Sequence, residues 1–388
     1  MTRRVCVVTG SRAEYGLLYW VLHDLRADPG VELQVVATGM HLSPEFGLTV
    51  RQIEDDGFAV TRRVEMLLSS DTPAGIAKSM GLGVIGMSDA LEQLRPDVVL
   101  VLGDRFEILA AVQACLVHNI AVAHIAGGDT TEGAFDESIR HAITKMSHVH
   151  FVTHAESAQR VRQLGEDPAR IHVVGSPGLD HLRRRALLDR PALEASLGAP
   201  LGRRNLLVTF HPVTLEAGEG SVQLAELLAA LDTLSTDTTL WVTKPNADTG
   251  GRAIAAALDA WATQHPGRVH LYTSLGQLRY LSLMAQVDAV VGNSSSGLYE
   301  APSFRRPTVD IGERQRGRLA AGSVIRCPAE RAAIRDAIDR ALALDCSGVV
   351  NPYGDGRAAE RIVALLRELP PAAQLLKKHF HLLETRHD

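Results

Sequence analysis

Cysteine is scarce: Cys6, Cys115, Cys327 and Cys346 are the only four in 388 residues, widely spaced and in no CxxC pair. That argues against a disulfide framework and against a zinc site built on paired cysteines, and it points to a reducing, cytoplasmic compartment. Aromatic residues make up only 4% of the chain, which leaves few platforms for stacking single-stranded nucleic acid. Neither sign of charge dominates: Lys+Arg 40 against Asp+Glu 45 gives a net charge of −5, so nothing draws the whole molecule onto a phosphate polymer or an anionic membrane. No apolar run approaches the roughly 18 residues of a membrane span. Met1-Thr2-Arg3-Arg4 runs straight into Val5–Val8, without the longer apolar segment of a signal peptide. Nucleic acid and membranes are therefore not expected partners.

What the chain does have is enough length and apolar content (46%) for two domains. Short β-branched runs alternate with helical stretches: Val5–Val8, Leu33–Ala37, Val98–Leu102, Ile120–His124, Val149–Val152 and Ile171–Val174. This is the βαβ rhythm of a parallel sheet. Pro177, Gly178, the charged stretch Arg183 to Arg190, Pro191 and Pro200 interrupt it over about residues 176–203. The rhythm restarts with Leu206–Phe210, Leu240–Thr243, Val269–Tyr272, Val287–Val291 and Thr308–Ile311. The reading is α/β: two Rossmann-like domains, residues 1–180 and 200–365, whose parallel sheets face an interdomain cleft. The last stretch, Arg357 to Leu369 followed by Pro370-Pro371 and a final basic helix over 366–388, would be able to pack back on the first domain. Open α/β sheets bind ligands outside the carboxyl ends of their strands, so candidate residues are sought there.

After the first strand, Thr9-Gly10-Ser11-Arg12 opens a helix whose free N–H groups, with Arg12, suit a phosphate; a plain βα turn with a solvated Arg explains it as well. Leu102-Gly103-Asp104-Arg105 puts Asp104 at a strand tip, either as a helix N-cap or as a base with Arg105 as its partner. The densest segment is His124 to Lys145. A helix beginning near Phe135 sets Asp136 against Arg140, and Glu137 against His141 and Lys145, with Ile139, Ile143 and Met146 facing inward. A solvated charged face accounts for Glu137 and Lys145, but poorly for the glycine- and acid-rich loop Gly127-Gly128-Asp129-Thr130-Thr131-Glu132-Gly133 before the helix. In the second half His211 ends one strand and Lys244 the next, the latter offering a cation to phosphate. Gly292-Asn293-Ser294-Ser295-Ser296-Gly297 ends another at a helix start, with Glu300 one turn on, able to accept hydrogen bonds from ribose hydroxyls. Arg314, Arg316 and Arg318 add a phosphate clamp or a solvated loop. Carboxylates in one domain, and phosphate and ribose chemistry in the other, suit an enzyme of nucleotide sugars.

These blocks resemble the UDP-N-acetylglucosamine 2-epimerase family, and within it the hydrolysing branch of sialic-acid-type sugar biosynthesis, over roughly residues 4–365. The resemblance rests on Gly10 to Tyr15, Gly103 to Glu107, Ser138 to His148, Gly292 to Gly297 and Arg314 to Arg318. It implies a GT-B-like fold and the conversion of UDP-GlcNAc and water to ManNAc and UDP through a 2-acetamidoglucal, with no metal or other cofactor. It implies a homodimer or homotetramer, too. By similarity, Asp104 and Asp136 match acid/base positions, and His211 a catalytic or phosphate-contacting one. Arg12, Ser294, Ser295, Glu300 and Arg314 match nucleotide-binding positions, and His41 and Arg105 cleft-lining ones; Lys244, Ser296 and Gly297 are added as binding candidates from their own chemistry and place in the chain. Where several members carry Glu two residues after the strand-end His, this chain has Ala126, so Asp129, or less readily Glu132, is expected to supply that carboxylate. The changed loop raises an alternative substrate, a modified sugar nucleotide such as that of diacetylated bacillosamine, on the way to legionaminic acid. A non-hydrolysing epimerase, a glycosyltransferase and a nucleotide-sugar sensor are the competing classes.

Overall fold

The computed structural model describes residues 2–70, 72–130, 135–211, 219–245 and 251–383. The chain forms two compact units, Met1–Arg183 together with Tyr353–Asp388, and Arg184–Pro352.

The first unit is a parallel sheet of seven strands: β1 Arg3–Thr9, β2 Val31–Thr38, β3 Arg62–Val64, β4 Val98–Leu102, β5 Ala121–Ile125, β6 Val149–Val152 and β7 Ile171–Val173, in the order β3-β2-β1-β4-β5-β6-β7. The second is a parallel sheet of six: β8 Arg204–Thr209, β9 Thr238–Thr243, β10 Val269–Tyr272, β11 Ala289–Gly292, β12 Thr308–Ile311 and β13 Val324–Cys327, in the order β10-β9-β8-β11-β12-β13. Both are doubly wound. The order reverses between β1 and β4 and between β8 and β11, which are the places where loops part at the carboxyl edge and leave room for a ligand.

Helices cover both faces of each sheet, so central strands are apolar on both sides. Val5, Val7, Val98, Leu100 and Leu102 point into one core layer, and Cys6, Val8, Val99 and Val101 into the other. In the second unit Leu206, Val208, Leu240 and Val242 face one layer, and Leu207 and Trp241 the opposite one. Cys6, Cys115 and Cys346 are buried thiols, and burial pushes Cys6 up to about 12. No helix among the described residues is long and apolar enough to cross a membrane.

The expected second-domain boundary at residue 365 lies too late. From Tyr353 the chain belongs to the first unit: the helix Ala358–Glu368 buries Ala359, Ile362 and Leu366 in the layer that holds Val5 and Val7. The fully buried Asp180 caps this helix, accepting from the N–H groups of Ala358 (3.0 Å) and Ala359 (3.1 Å). The expected basic helix over 366–388 does not form among the described residues; only Ala372–Leu375 is helical beyond Glu368. Pro370-Pro371 separates the two helices. Side chains of the first unit hold the C-terminal segment in place: Arg170 donates to the carbonyls of Leu375 (2.7 Å) and Lys377 (2.9 Å), and Lys378 donates to that of Lys145 (2.8 Å).

Candidate active site

In the first unit the carboxyl ends of β1, β4 and β5 gather one network of acids and arginines. Ser11 caps the helix Arg12–Ala27 by accepting from the Glu14 N–H, and Glu14 turns back so that its Oε2 accepts from the Gly10 N–H at 3.0 Å and the Ser11 hydroxyl at 3.2 Å. Burial, with repulsion from Glu107, pushes the Glu14 carboxyl up to about 8. Its Oε1 is buried without a hydrogen-bond partner. Glu107, fully buried in the helix Phe106–Val117, holds the Arg105 guanidinium from both oxygens, at 2.8 Å to Nη2 and 3.2 Å to Nε. Burial opposes the Arg105 charge, but Glu107, Glu14 and Asp136 outweigh it and raise its proton affinity.

Asp104 precedes Arg105 and forms an ion pair with Arg140, a nearly buried residue of the helix Asp136–Met146. The same Arg140 donates to the carbonyl oxygen of Asp129 at 2.7 Å and to Glu137 Oε2 at 3.4 Å. Asp136 stands in the first turn of that helix, and burial, then repulsion from Asp104, raises its carboxyl above the ordinary aspartate range against the pull of Arg105 and Arg140. The structure thus brings Asp104, Arg105 and Asp136 into one field. Of the charged stripe expected on the helix, Glu137 meets His141 at 3.1 Å as expected, while Arg140 reaches Asp104 and Lys145 leaves for Glu166 at 2.8 Å. A charge nine-tenths buried seeks the partner that tertiary packing presents, and sequence spacing does not decide it.

Two histidines fasten this edge. His124 Nε2 donates to the Gly103 carbonyl at 2.8 Å while Nδ1 meets the Thr144 hydroxyl at 3.2 Å, and burial lowers its pKa to about 3. It is a neutral strut between β5, the loop after β4 and the helix of Arg140. His41, expected to line a ligand site, is instead buried, with Nε2 on the Thr9 hydroxyl (3.0 Å) and Nδ1 on that of Thr49 (2.8 Å). Burial lowers it to about 4, so it shapes the loop without charging it. Arg12 is exposed at the first position of its helix.

The loop after β5 begins with Ala126 in the left-handed region (φ 63°) and Gly128 at φ 76°, where a Cβ would lie 2.4 Å from the Ser157 carbonyl oxygen. Asp129, expected to replace the missing glutamate, has its Oδ1 engaged by the hydroxyls of Thr153 (2.5 Å) and Ser157 (2.6 Å), with His154 at 3.7 Å. These contacts tie the loop to Thr153 and to the helix Ala155–Gln163. Glu132 lies outside the described residues.

In the second unit, His211 follows β8 and Asn293 follows β11. The two clasp each other: the His211 N–H donates to Asn293 Oδ1 at 2.7 Å, and Asn293 Nδ2 donates to the His211 carbonyl at 2.8 Å. Arg314 Nη1 and Gln315 Nε2 both donate to the Asn293 carbonyl, at 3.0 and 2.8 Å. Gly292 permits this junction, because at φ 136° a Cβ would lie 1.9 Å from the Thr209 carbonyl oxygen. The helix after the serines, Ser296–Tyr299, has only four residues, so the expected anion site has little helix dipole behind it and relies on hydroxyls. Ser294 and Ser296 lie 3.0 Å apart, and Tyr280 reaches Ser296 at 2.6 Å; the Ser295 side chain does not cap the helix. Gly297 is a packing glycine, since a Cβ there would meet Thr308 Cγ2 at 2.6 Å. Lys244 is held by Asp259 at 2.7 Å. Glu300 is half-exposed as a residue, but its carboxyl end is enclosed: Oε2 is buried without a hydrogen-bond partner and burial pushes the group up to about 7.

Glu14, Glu107 and Arg140 acquire roles that sequence patterns did not assign to them. The Ser11-x-x-Glu14 spacing of a capping box was a usable signal for the first. Arg140 was expected only as the partner of Asp136 and Glu107 only as part of the Gly103–Glu107 block, with no signal for their pairing with Asp104 and Arg105. Among the described residues, no group of three His, Cys, Asp or Glu is arranged to hold a metal ion.

Residues 23–367 match the family model described as UDP-N-acetylglucosamine 2-epimerase. The chain is 41% identical, over 83% of its length and 84% of the relative's, to the GDP/UDP-N,N'-diacetylbacillosamine 2-epimerase (hydrolyzing) of Campylobacter jejuni. It is 35% identical to the UDP-N,N'-diacetylbacillosamine 2-epimerase (hydrolyzing) of Legionella pneumophila, over 97% of this chain and 99% of that one. Among solved structures, the UDP-GlcNAc 2-epimerase of Neisseria meningitidis bound to UDP-GlcNAc is similar in fold, with a TM-score of 0.75 at 20% identity, covering 94% of this chain and 99% of that one.

Proposed function

The chain belongs to the UDP-N-acetylglucosamine 2-epimerase family, on its hydrolysing branch, and from that membership we propose that this hydrolysing nucleotide-sugar 2-epimerase converts UDP-N,N'-diacetylbacillosamine and water to the free 2-epimeric sugar and UDP. The names of the two relatives favour this substrate over the UDP-GlcNAc-to-ManNAc reaction that was the first expectation from sequence. The observation that carries the chemistry is the Asp104–Asp136 pair between Arg105 and Arg140, with the proton affinity of Asp136 raised.

The proton on C2 of an acetamido sugar is weakly acidic, so it has to leave to a placed carboxylate as the C1–O bond breaks. Asp136, with its raised affinity, is suited to take it; the electron pair forms the C1–C2 double bond and UDP departs with the C1–O electrons. Water then adds across the double bond: its oxygen bonds C1 and its proton, relayed by Asp104, goes to C2 from the opposite face, while Asp136 releases the abstracted proton to solvent. Arg140, paired with Asp104, and Arg105 set positive charge against the two carboxyl groups and counter their mutual repulsion. In the second unit, Ser294, Ser295, Ser296 and Arg314 are assigned to the diphosphate with His211, and Glu300 to the ribose hydroxyls. Asp129 is assigned to anchoring its loop.

Proton NMR in deuterated water without added metal, with UDP-N,N'-diacetylbacillosamine as substrate, tests this. Free UDP with a C2-deuterated, epimerised sugar is the expected product. A retained UDP–sugar bond would overturn the hydrolytic step, and turnover of UDP-GlcNAc alone would overturn the substrate.

A further inference from the structure

A cavity of about 580 Å³ opens in the first unit beside Arg105. Its walls are largely apolar: Met40, Phe46, Met66, Leu68, Ile76 and Phe106, with Arg105, Ser69 and Glu65 among the polar groups. Phe46 and Leu68 are left 47% and 40% exposed, which is surface that a bound apolar group would cover. The cavity joins the acid network through one side chain. Arg105 is pinned by Glu107, acts on Asp136, and places Nη2 3.4 Å from the Met40 sulfur in the cavity wall.

We infer that this cavity receives the 4-acetamido group and the C6 methyl group of the substrate and so selects the diacetamido-trideoxy sugar against an ordinary N-acetylhexosamine. The inference rests on the proposed substrate and names the residues that would impose it. The proposal sets C2 at the carboxylates and the C4–C6 edge of the hexose on the side of Arg105, whose Nη2 reaches Met40 in the cavity wall. An N-acetylglucosamine would bring hydroxyls at C4 and C6, with no apolar group to cover Met40, Phe46, Leu68, Ile76 and Phe106. The diacetamido-trideoxy sugar brings two methyl groups there instead. Its added amide has a carbonyl oxygen for the Arg105 N–H groups and an N–H for the Ser69 hydroxyl. A pocket discriminates a single methyl by about 10- to 200-fold, so two such contacts suffice for practical selectivity.

Internal competition tests it: the full-length enzyme is given equal UDP-N,N'-diacetylbacillosamine and UDP-GlcNAc, and the two free sugars are quantified by NMR. The ratio is expected to favour the diacetylated product strongly, and to fall by about tenfold in Leu68→Asn and in Ile76→Thr. Both positions are at least partly exposed, and thermal unfolding of each variant checks that it folds. An unchanged ratio in correctly folded variants, or an equal loss of both products, overturns the cavity's role while leaving the proposed substrate intact. Wild-type enzyme that consumes UDP-GlcNAc alone overturns the proposed substrate, and the cavity inference with it.

Discussion

Arg140 and Asp104, 36 residues apart in sequence, form an ion pair that ties the helix Asp136–Met146 to the tip of β4. Arg140 also holds the Asp129 carbonyl at 2.7 Å, so one guanidinium fixes both loops that carry the candidate acids. Lys at this position keeps the charge but reaches only one of these acceptors, because its ammonium has no planar fork. Arg140→Lys is expected to lower stability by about 2 kcal/mol and kcat by at least about tenfold. Chemical denaturation and steady-state rates measure both, and a variant with wild-type kcat would remove Arg140 from the site.

Asp136 is the group whose proton affinity burial and Asp104 raise together. As a base it works only when ionised, so the low-pH limb of kcat/KM is expected to lie above the ordinary aspartate range. Asp136→Asn should cut kcat by about 10² to 10⁴ without abolishing UDP binding. A limb at the usual aspartate position, or a variant retaining full turnover, would assign the proton transfer elsewhere.

The apolar central strands were legible because burial on both faces leaves continuous runs such as Val98–Leu102, and all of them form. Two strands carry no such run, Arg62-Arg63-Val64 and Val324-Ile325-Arg326-Cys327. Each lies at a sheet edge, where arginine is tolerated and half the surface is wet, so neither has an apolar signature. Asp104 and Asp136 could be picked out because they follow strands and open helices. What Glu14 and Glu107 do could not: each satisfies ordinary helix-start rules, and only folding places one against the other. The stretch from Arg357 could be read as able to cross back, but the start of the return at Tyr353 was hidden, since its helix is capped by Asp180 from far back in sequence.

Glu14 carries a pH signature in stability. Its ordinary value of 4.5 rises to about 8 in the folded protein, so between these values the native state holds a proton that the unfolded chain releases. That stabilisation is complete below about 4.5 and is lost as pH rises through about 8, at up to about 1.4 kcal/mol per pH unit within the window. Glu14→Gln should flatten this slope. Urea titrations of wild type and variant at pH 6 and pH 8 decide it; identical pH dependence in the two proteins would mean that Glu14 is not the titrating group.

Gly292 tests how closely β8 and β11 must approach. An alanine Cβ would sit 1.9 Å from the Thr209 carbonyl oxygen, at a φ of 136° that side chains avoid. Backbone cannot yield there without breaking the β8–β11 pairing that sets His211 against Asn293. Gly292→Ala is expected to cost about 4 kcal/mol or more, seen as loss of soluble protein or a much lower Tm. A variant with unchanged Tm would show that the two strands have slack.

Glu300 makes UDP binding sensitive to pH in a direction that can be stated. Burial lifts its carboxyl from 4.5 to about 7, and Oε2 lacks a hydrogen-bond partner. A ribose hydroxyl donates to a carboxylate, so binding favours the ionised form and releases the proton. Affinity for UDP should therefore rise as pH passes through about 7, with proton release visible as a dependence of the calorimetric enthalpy on buffer. The diphosphate itself titrates near this range, and Glu300→Gln separates the two contributions, because the variant keeps the diphosphate's share of the pH dependence and loses the carboxylate's. If wild type and variant show the same pH dependence of Kd between pH 6 and pH 8, Glu300 does not contact the nucleotide in its charged form.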